Sequence, residues 1–282
     1  MSSITNAPAN RVKEAAANPK LELLMRLGYV VRGVLYAVVG ILALRIALRQ
    51  SGGAATDLTG GLLFLIHNPL GTLILIVFIV GLAAYSAWGF IRAIFDPLHR
   101  GSDASGYAAR FGFLTSAMSY GLIVLFAMQI LVGSAGSSGD STQKSIGTLL
   151  AHPAGGWVTI GIGLLALGVA VGEFVEAVRA PFKFDLKGAE MSPTQMNVAV
   201  ALGRYGVFAR GITFLVISWS LMQAGVHHNA GEIQGFGGAF LFLLSKPYGH
   251  LLMAFVSLGF VALGLFSFAC ARWIRLMGSA AK

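Results

Sequence analysis

The sequence predicts an all-α integral membrane protein with six transmembrane helices arranged as three parallel two-helix repeats. Of its 282 residues, 56% are hydrophobic and only 11% are charged, whereas a typical soluble domain is about 25% charged. A helix needs roughly 20 residues to cross a hydrocarbon core of ~30 Å, and because lipid offers the backbone no hydrogen-bond partner, spanning segments are expected to be helical. Six windows meet this length, near 27–47, 70–91, 113–133, 157–178, 205–224 and 249–271.

Two sequence markers recur in one register and indicate that a single unit is triplicated. The first is an arginine two residues before a glycine, at Arg26, Arg110 and Arg204, with spacings of 84 and then 94 residues. The second is a Pro-x-Gly signature with the same spacings, formed by Pro69 and Gly71, Pro153 and Gly155, and Pro247 and Gly249. Two markers with identical offsets are typical of an internal repeat.

Each repeat is expected to contain a first spanning helix, an outer loop, a short apolar segment, the Pro-x-Gly signature and a second spanning helix. The short segments cannot cross a membrane, and we interpret them as interfacial or re-entrant turns ended by proline. The glycine allows the next helix to begin close to its neighbours. The predicted boundaries are a polar tail at 1–20, repeats at 21–97, 105–181 and 199–275, and a tail at 276–282.

An even number of spans gives all three repeats the same orientation, so a rotation about the membrane normal can relate them. We therefore expect a pseudo-threefold arrangement. The polar tail has no apolar run before Leu21, so it does not have the pattern of a cleavable signal peptide.

The net charge of +9 reflects topology rather than nucleic-acid binding. Sixteen of the 20 lysines and arginines fall on the side that holds both chain ends, and the exceptions are Arg45, Arg49, Lys144 and Lys246. This positive-inside bias predicts that both termini are cytoplasmic. The expected partner of these charges is the anionic headgroups of the cytoplasmic leaflet.

The sequence contains no recognisable catalytic or cofactor-binding pattern, which favours a protein that is not an enzyme. Its single cysteine, Cys270, excludes an internal disulfide and a cysteine metal cluster. No histidine pair has metal-ligand spacing, so we predict no metal site and no cofactor. A metal site assembled across the outer loops from His67, His152 and His228 is left open as an alternative.

The segments Arg26–Tyr36, Asn68–Gly71 and Gly81–Tyr85 resemble the bacterial membrane family called domain of unknown function 1206. That family typically has three tandem two-helix copies, so the resemblance covers roughly residues 21–275. The third copy keeps Arg210 before its glycine, whereas the second has Ser116 where arginine is expected. The resemblance implies the fold and assigns no activity. Together with the charge bias, it predicts a bacterial inner (cytoplasmic) membrane location.

Four ionisable residues inside the spans form the candidate functional site. Arg32 and Arg210 lie about 9 Å deeper than the arginines that begin each repeat, and Glu173 and Glu176 lie at a similar depth in the fourth span. A Glu173–Arg32 or Glu173–Arg210 pair is the expected way to hide these charges. Such a pair is either a structural ion pair or part of an ion or proton relay.

The arginines that begin each repeat, Arg26, Arg110 and Arg204, are expected to contact headgroups or anions by extending their side chains to the membrane surface. Two glycine pairs, Gly33 with Gly40 and Gly168 with Gly172, predict close helix packing. The functional hypothesis is a small-solute or ion transporter, or a channel-like protein. The alternative is a non-transporting membrane scaffold or accessory subunit. The sequence indicates neither a substrate nor an oligomeric state.

Overall fold

A computed structural model describes residues 19–50, 53, 62–64, 70–96, 104–132 and 147–274. Seven labelled helices carry the architecture: α1 Pro19–Ala47, α2 Gly71–Phe95, α3 Ala104–Leu131, α4 Gly155–Arg179, α5 Pro193–His227, α6 Phe236–Leu244 and α7 Gly249–Trp273. All of these except the nine-residue α6 are long and apolar enough to cross a membrane. The prediction of a six-helix, all-α membrane fold is confirmed.

Several spanning helices extend beyond the apolar windows predicted from the sequence. The clearest case is α5, which begins at Pro193, twelve residues before the predicted window. Ser192 accepts a hydrogen bond from the backbone N–H of Gln195, whose side chain accepts one from the Ser192 N–H. This reciprocal cap stabilises a polar first turn, so hydropathy alone does not find the start of α5.

The Pro-x-Gly signatures mark helix starts, because α2, α4 and α7 begin at Gly71, Gly155 and Gly249. A Cβ atom at Gly155 would collide with the carbonyl oxygen of Leu149, and one at Gly249 with that of Leu244. Glycine therefore permits each helix to begin directly against the end of the short segment before it. That segment is helical at 147–150 in repeat 2 and forms α6 in repeat 3. Pro69 lies outside the described residues.

The arginines that begin each repeat join neighbouring repeats. Arg110 donates to the carbonyls of Ala93 and Ile94 at the end of α2. At the corresponding positions, Arg204 donates to Val178 at the end of α4, and Arg26 donates to Ala271 and Arg272 at the end of α7. The last carbonyls of a helix lack intrahelical partners, so each arginine caps the preceding repeat in the cycle. Contact of these arginines with headgroups or anions stays a prediction.

These caps bring the starts of α1, α3 and α5 level with the ends of α2, α4 and α7, on what we call the terminal side. The spanning helices pack in the order α3, α2, α1, α7, α5 and α4. Around a closed ring, α3 and α4 would also be neighbours, but they have no comparable packing. The predicted pseudo-threefold arrangement is therefore not confirmed, since the helices of repeat 2 lie apart.

The exposed surface of α3 and α4 reflects this separation. Only 17% of the apolar window of α3 and 22% of that of α4 are buried, against 39% to 56% for the other four spans. Gly33 and Gly40 pack closely on α7 as predicted. The same prediction for Gly168 and Gly172 is wrong within the described part of the chain, because a Cβ at either would meet nothing within 4 Å.

Candidate functional site: a central charge cluster

The strongest polar contact inside the membrane-spanning region joins Arg210 of α5 to Glu173 of α4. The Nε and Nη2 of Arg210 donate to the two carboxylate oxygens of Glu173 at 2.9 and 2.7 Å. The side chains are 15% and 11% exposed, so this bidentate pair is largely shielded from solvent. Of the two ion pairs that the sequence suggested, Glu173–Arg210 forms and Glu173–Arg32 does not.

Tyr36 connects this ion pair to the other repeats. Arg210 Nη1 donates to the Tyr36 hydroxyl at 3.2 Å, and the Tyr120 hydroxyl donates to the same oxygen at 2.7 Å. Tyr36 and Tyr120 occupy corresponding positions in repeats 1 and 2. Three first helices, α1, α3 and α5, therefore meet at one tyrosine. Sequence reasoning missed both tyrosines, although their 84-residue spacing was a signal available in the repeat alignment.

Arg32 has aromatic neighbours instead of a carboxylate. Its Nη1 donates to the Tyr85 hydroxyl at 2.5 Å, and its Cζ lies 5.2 to 5.9 Å from the ring centroids of Tyr36, Tyr85 and Tyr120. Among the described residues it forms no ion pair. Its Nε is buried and has no hydrogen-bond partner. The three rings favour a cation, and no described carboxylate lies within salt-bridge distance of it, although Glu176 attracts it at longer range.

Glu176 is the complementary unpaired group. Its carboxylate accepts no hydrogen bond and forms no ion pair within the described part of the chain, although Glu173, Arg210 and Arg32 act on it electrostatically. Glu176 follows Leu165 by eleven residues, which is about three helical turns. Leu165 corresponds to Gly81 of repeat 1, which packs against Val31 of α1. Both Leu165 and Glu176 therefore lie on the stripe of α4 that would face α3 in a closed ring.

Arg92 is a further member of this region whose burial was not predicted from the sequence. It was counted with the surface charges because it lies one turn from the end of α2, but it is only 6% exposed. Its guanidinium lies 4.2 Å from the ring centroid of Phe113, and Asp185 acts on it electrostatically. The repeat alignment offered a signal, since Arg92 corresponds to Glu176 in repeat 2 and to the buried Cys270 in repeat 3.

We call Arg32, Arg210, Glu173 and Glu176 with Tyr36, Tyr85 and Tyr120 the central charge cluster. It unites the four residues that the sequence predicted as an intramembrane site. Among the described residues, Arg210 and Glu173 form an ion pair, whereas Arg32 and Glu176 have no salt-bridge partner. A cavity of about 580 Å³ on the terminal side is lined by other residues: Lys183, Phe184, Met196, Asn197, Val200, Ala201 and Arg204.

The candidate groups of the outer side have local partners. His227 Nδ1 lies 3.0 Å from the Glu232 carboxylate, and His250 Nδ1 donates to the Ala47 carbonyl at 3.0 Å. Within the described residues, no group of three His, Cys, Asp or Glu side chains has the proximity that a metal ion requires. His67, which belongs to the alternative metal site, lies outside those residues, while His152 and His228 lie within them as exposed residues.

Comparison with known proteins identifies the family of this chain. Residues 27–96, 111–180 and 205–273 each match the family described as Domain of Unknown Function (DUF1206). The chain is 30% identical over 249 residues to the "Uncharacterized protein YxxB" of Bacillus subtilis (strain 168), covering 88% of this chain and 90% of the relative. No solved structure matches this chain. The chain is therefore a member of the DUF1206 family, with three tandem copies of the family's two-helix unit.

Proposed function

We propose that this protein moves a small anionic solute or ion through the membrane, with the central charge cluster as its binding site. The proposal depends on one observation about Arg32. Its guanidinium lies within a spanning helix and has no carboxylate partner among the described residues. An ionisable residue at such depth is costly. An anion at Arg32 neutralises the charge and gives the unpartnered Nε an acceptor.

The other members of the cluster support this role in distinct ways. The Arg210–Glu173 pair is closed and bidentate, so we assign it to fixing α4 against α5 rather than to binding solute. Tyr36 accepts hydrogen bonds from both Tyr120 and Arg210, which holds its ring beside Arg32. Arg32 is thus the binding group, and its tyrosine neighbours are positioning residues.

Anion flux from liposomes tests this proposal. Vesicles loaded with chloride or inorganic phosphate and reconstituted with the full chain are expected to release at least one of these anions faster than protein-free vesicles. Arg32→Ala removes the binding charge and abolishes that excess. Arg45→Ala leaves it unchanged, because Arg45 is exposed near the opposite end of the same helix. Flux that is absent in the wild type, or equal in Arg32→Ala, contradicts the proposal.

The alternative function, a membrane scaffold or accessory subunit, is favoured by a different observation. The exposed surfaces of α3 and α4 carry large apolar residues, including Leu122 at 66% and Trp157 at 78%, beside uncovered glycines of the kind that allow helices to associate in lipid. A stable homo-oligomer or hetero-complex in cross-linked native membranes, with no anion flux, supports the scaffold. A monomer with flux contradicts it.

We also propose that the chain lies in the bacterial inner membrane with the terminal side in the cytoplasm, where basic residues contact anionic headgroups. The bias of lysine and arginine toward that side supports this orientation. Reporter fusions that fluoresce only in the cytoplasm are expected to be bright at both ends of the chain. A dark fusion at either end contradicts this topology.

A further inference from the structure

The helices of repeat 2 leave an opening that repeats 1 and 3 do not have. We call it the α3–α4 cleft, and define it by Thr115 and Ser119 of α3 and by Leu165, Gly168, Gly172 and Glu176 of α4. Thr115 corresponds to Val31, which packs against Gly81 of α2 in repeat 1. In repeat 2, the described parts of α3 and α4 do not pack in this way: a Cβ at Gly112, one turn earlier, has nothing within 4 Å.

The cleft leads toward the central charge cluster. Glu176 of the cleft is a cluster member, and Glu173 lies one turn deeper along α4. On the opposite wall, Tyr120 follows Ser119 and hydrogen-bonds to Tyr36 behind it. A molecule entering sideways from the bilayer therefore meets the partly exposed Glu176 first, whereas Tyr120 is buried and lies next to Arg32.

The type of side chain that lies at or near the cleft changes with depth below the terminal side. Counting 1.5 Å per residue from the capped end of α4 at Val178, Glu176 lies about 3 Å deep and Gly172 about 9 Å deep. Arg32 lies about 9 Å beyond Arg26, the residue level with the end of α7. From the terminal side inward, the order is a carboxylate, then a guanidinium at the level of Gly172, then the apolar stripe of Gly168 and Leu165.

A phospholipid with an amine in its headgroup presents the complementary order. Its ammonium lies outermost, its phosphate deeper, and its acyl chains deepest. The terminal amine of phosphatidylethanolamine has three N–H donors for the Glu176 carboxylate, and its phosphate offers oxygens to the Arg32 guanidinium. The glycines give an acyl chain room between the helices. Phosphatidylglycerol has no cation for Glu176, and the quaternary amine of phosphatidylcholine has no N–H to donate.

We infer that the α3–α4 cleft binds an aminophospholipid from the terminal-side leaflet, with its phosphate at Arg32 and its ammonium at Glu176. This inference rests on the proposed function because it uses the same binding group, Arg32, and it names a lipid phosphate as the anionic group that Arg32 binds. It makes the lateral opening the route of access and assigns a role to each unpaired charge of the cluster. Leu165, which separates the helices, lies where the acyl chains pass.

Native mass spectrometry of the purified full chain in detergent tests this inference with phosphatidylethanolamine, phosphatidylglycerol and phosphatidylcholine of identical acyl chains. We expect phosphatidylethanolamine to bind about tenfold more tightly than the other two, which is the factor that one charge-assisted hydrogen bond supplies. Glu176→Gln is expected to remove this preference, since the amide keeps the shape and loses the charge. Glu232→Gln, on the outer side, leaves it intact.

Further variants separate the phosphate contact and the cleft from general lipid solvation. Arg32→Gln is expected to weaken all three lipids about tenfold, whereas Arg32→Lys retains the charge and most of the binding. Gly172→Leu fills the cleft and abolishes the preference, while Val171→Leu, about 100° around α4 from Gly172, leaves it unchanged. Each variant is compared only after its thermal transition matches that of the wild type.

Three outcomes overturn the inference: equal binding of the three lipids, tighter binding of phosphatidylglycerol, or equal displacement by soluble glycerophosphoethanolamine, which lacks acyl chains. The two experiments distinguish failure of the lipid-binding inference from failure of the proposed transport function. Chloride or phosphate flux that depends on Arg32, without lipid preference, leaves the proposed function standing and removes the lipid. Lipid preference that depends on Glu176, without any flux, removes transport and leaves a lipid-binding protein.

Discussion

Repeat 2 differs from repeats 1 and 3 at the interface between its own two helices. In repeat 1, a Cβ at Gly28 would lie 2.6 Å from the Gly81 carbonyl oxygen, and in repeat 3 a Cβ at Gly206 would lie 2.6 Å from Leu263 Cβ. The corresponding Gly112 has nothing within 4 Å. The chain thus keeps the glycine that allows contact, yet the contact is absent.

The position opposite that glycine explains the difference. Gly81 occupies this position in repeat 1, where a Cβ would lie 2.7 Å from Val31 Cγ2. Gly259 occupies it in repeat 3, where a Cβ would overlap Ala209 Cβ. Repeat 2 has Leu165 instead, and its side chain is 67% exposed. Because an entire leucine side chain must fit where the other repeats have no room for one methyl group, α3 and α4 are unable to pack in the same way.

The interfaces between repeats are intact in all three cases. The contacts α1–α7, α3–α2 and α5–α4 are each extensive, and each is capped by an arginine at the terminal side. Since α4 has no packing against α3 comparable to these, its attachment depends mainly on α5. The Arg210–Glu173 pair is therefore expected to contribute more to the stability of the fold than a single contact between helices in repeat 1 or 3 does.

The largest expected effect is therefore the loss of that pair. Glu173→Gln leaves Arg210 charged and largely buried, and we expect it to lower the free energy of unfolding by about 3 kcal/mol. Denaturant unfolding in detergent measures this change. Glu176→Gln is the matched control: it removes a carboxylate without a partner and is expected to cost less than about 1 kcal/mol. Equal effects of the two variants contradict the assignment of the pair as a brace.

A pair of glycine substitutions tests the comparison between repeats directly. Gly206→Ala forces a methyl group against the backbone of Leu263 and is expected to destabilise the protein by about 1–3 kcal/mol. Gly112→Ala enters open space and is expected to be neutral or to stabilise by up to about 1 kcal/mol through helix propensity. Denaturant unfolding in detergent measures the free energy of unfolding of both variants. Comparable destabilisation by both variants indicates that α3 and α4 do pack together.

The smallest expected effect on stability is that of Leu165→Gly, which gives repeat 2 the residue that repeats 1 and 3 have. We expect a cost of about 1 kcal/mol from glycine in a helix, offset by new contact between α3 and α4. The informative readout is the distance between these helices, which is expected to shorten. Leu164→Gly, about 100° around α4 from Leu165, carries the same propensity cost and is expected to leave the distance unchanged.

The sequence predicted the six spans and the repeats because both depend on hydropathy and spacing, which are local properties. It also brought Arg32, Arg210, Glu173 and Glu176 into one site, since repeat alignment assigns depth. It did not predict which arginine pairs with Glu173, because that depends on rotation and packing of α1 and α5. Nor did it predict the burial of Arg92, since hydropathy places a charge near a helix end at the surface.

The open interface of repeat 2 was the least accessible feature. Gly168 and Gly172 match a packing motif, and only comparison of Leu165 with its two glycine counterparts reveals that the partner is displaced. The roles of the arginines that begin each repeat were also hidden, because an extended arginine reaches a headgroup or a helix carbonyl equally well. Tertiary contacts decided each of these points.

Three spin-label distances in a Cys270→Ser background test the central claim, that repeat 2 alone is open, most directly. The labelled pairs occupy corresponding exposed positions: Leu23 with Ile94, Tyr107 with Val178, and Ala201 with Arg272. Each pair joins the start of a first helix to the end of the second helix in the same repeat. We predict that the Tyr107–Val178 distance is clearly longer than both others. Three equal distances would show a closed ring and contradict the open repeat and the cleft built on it.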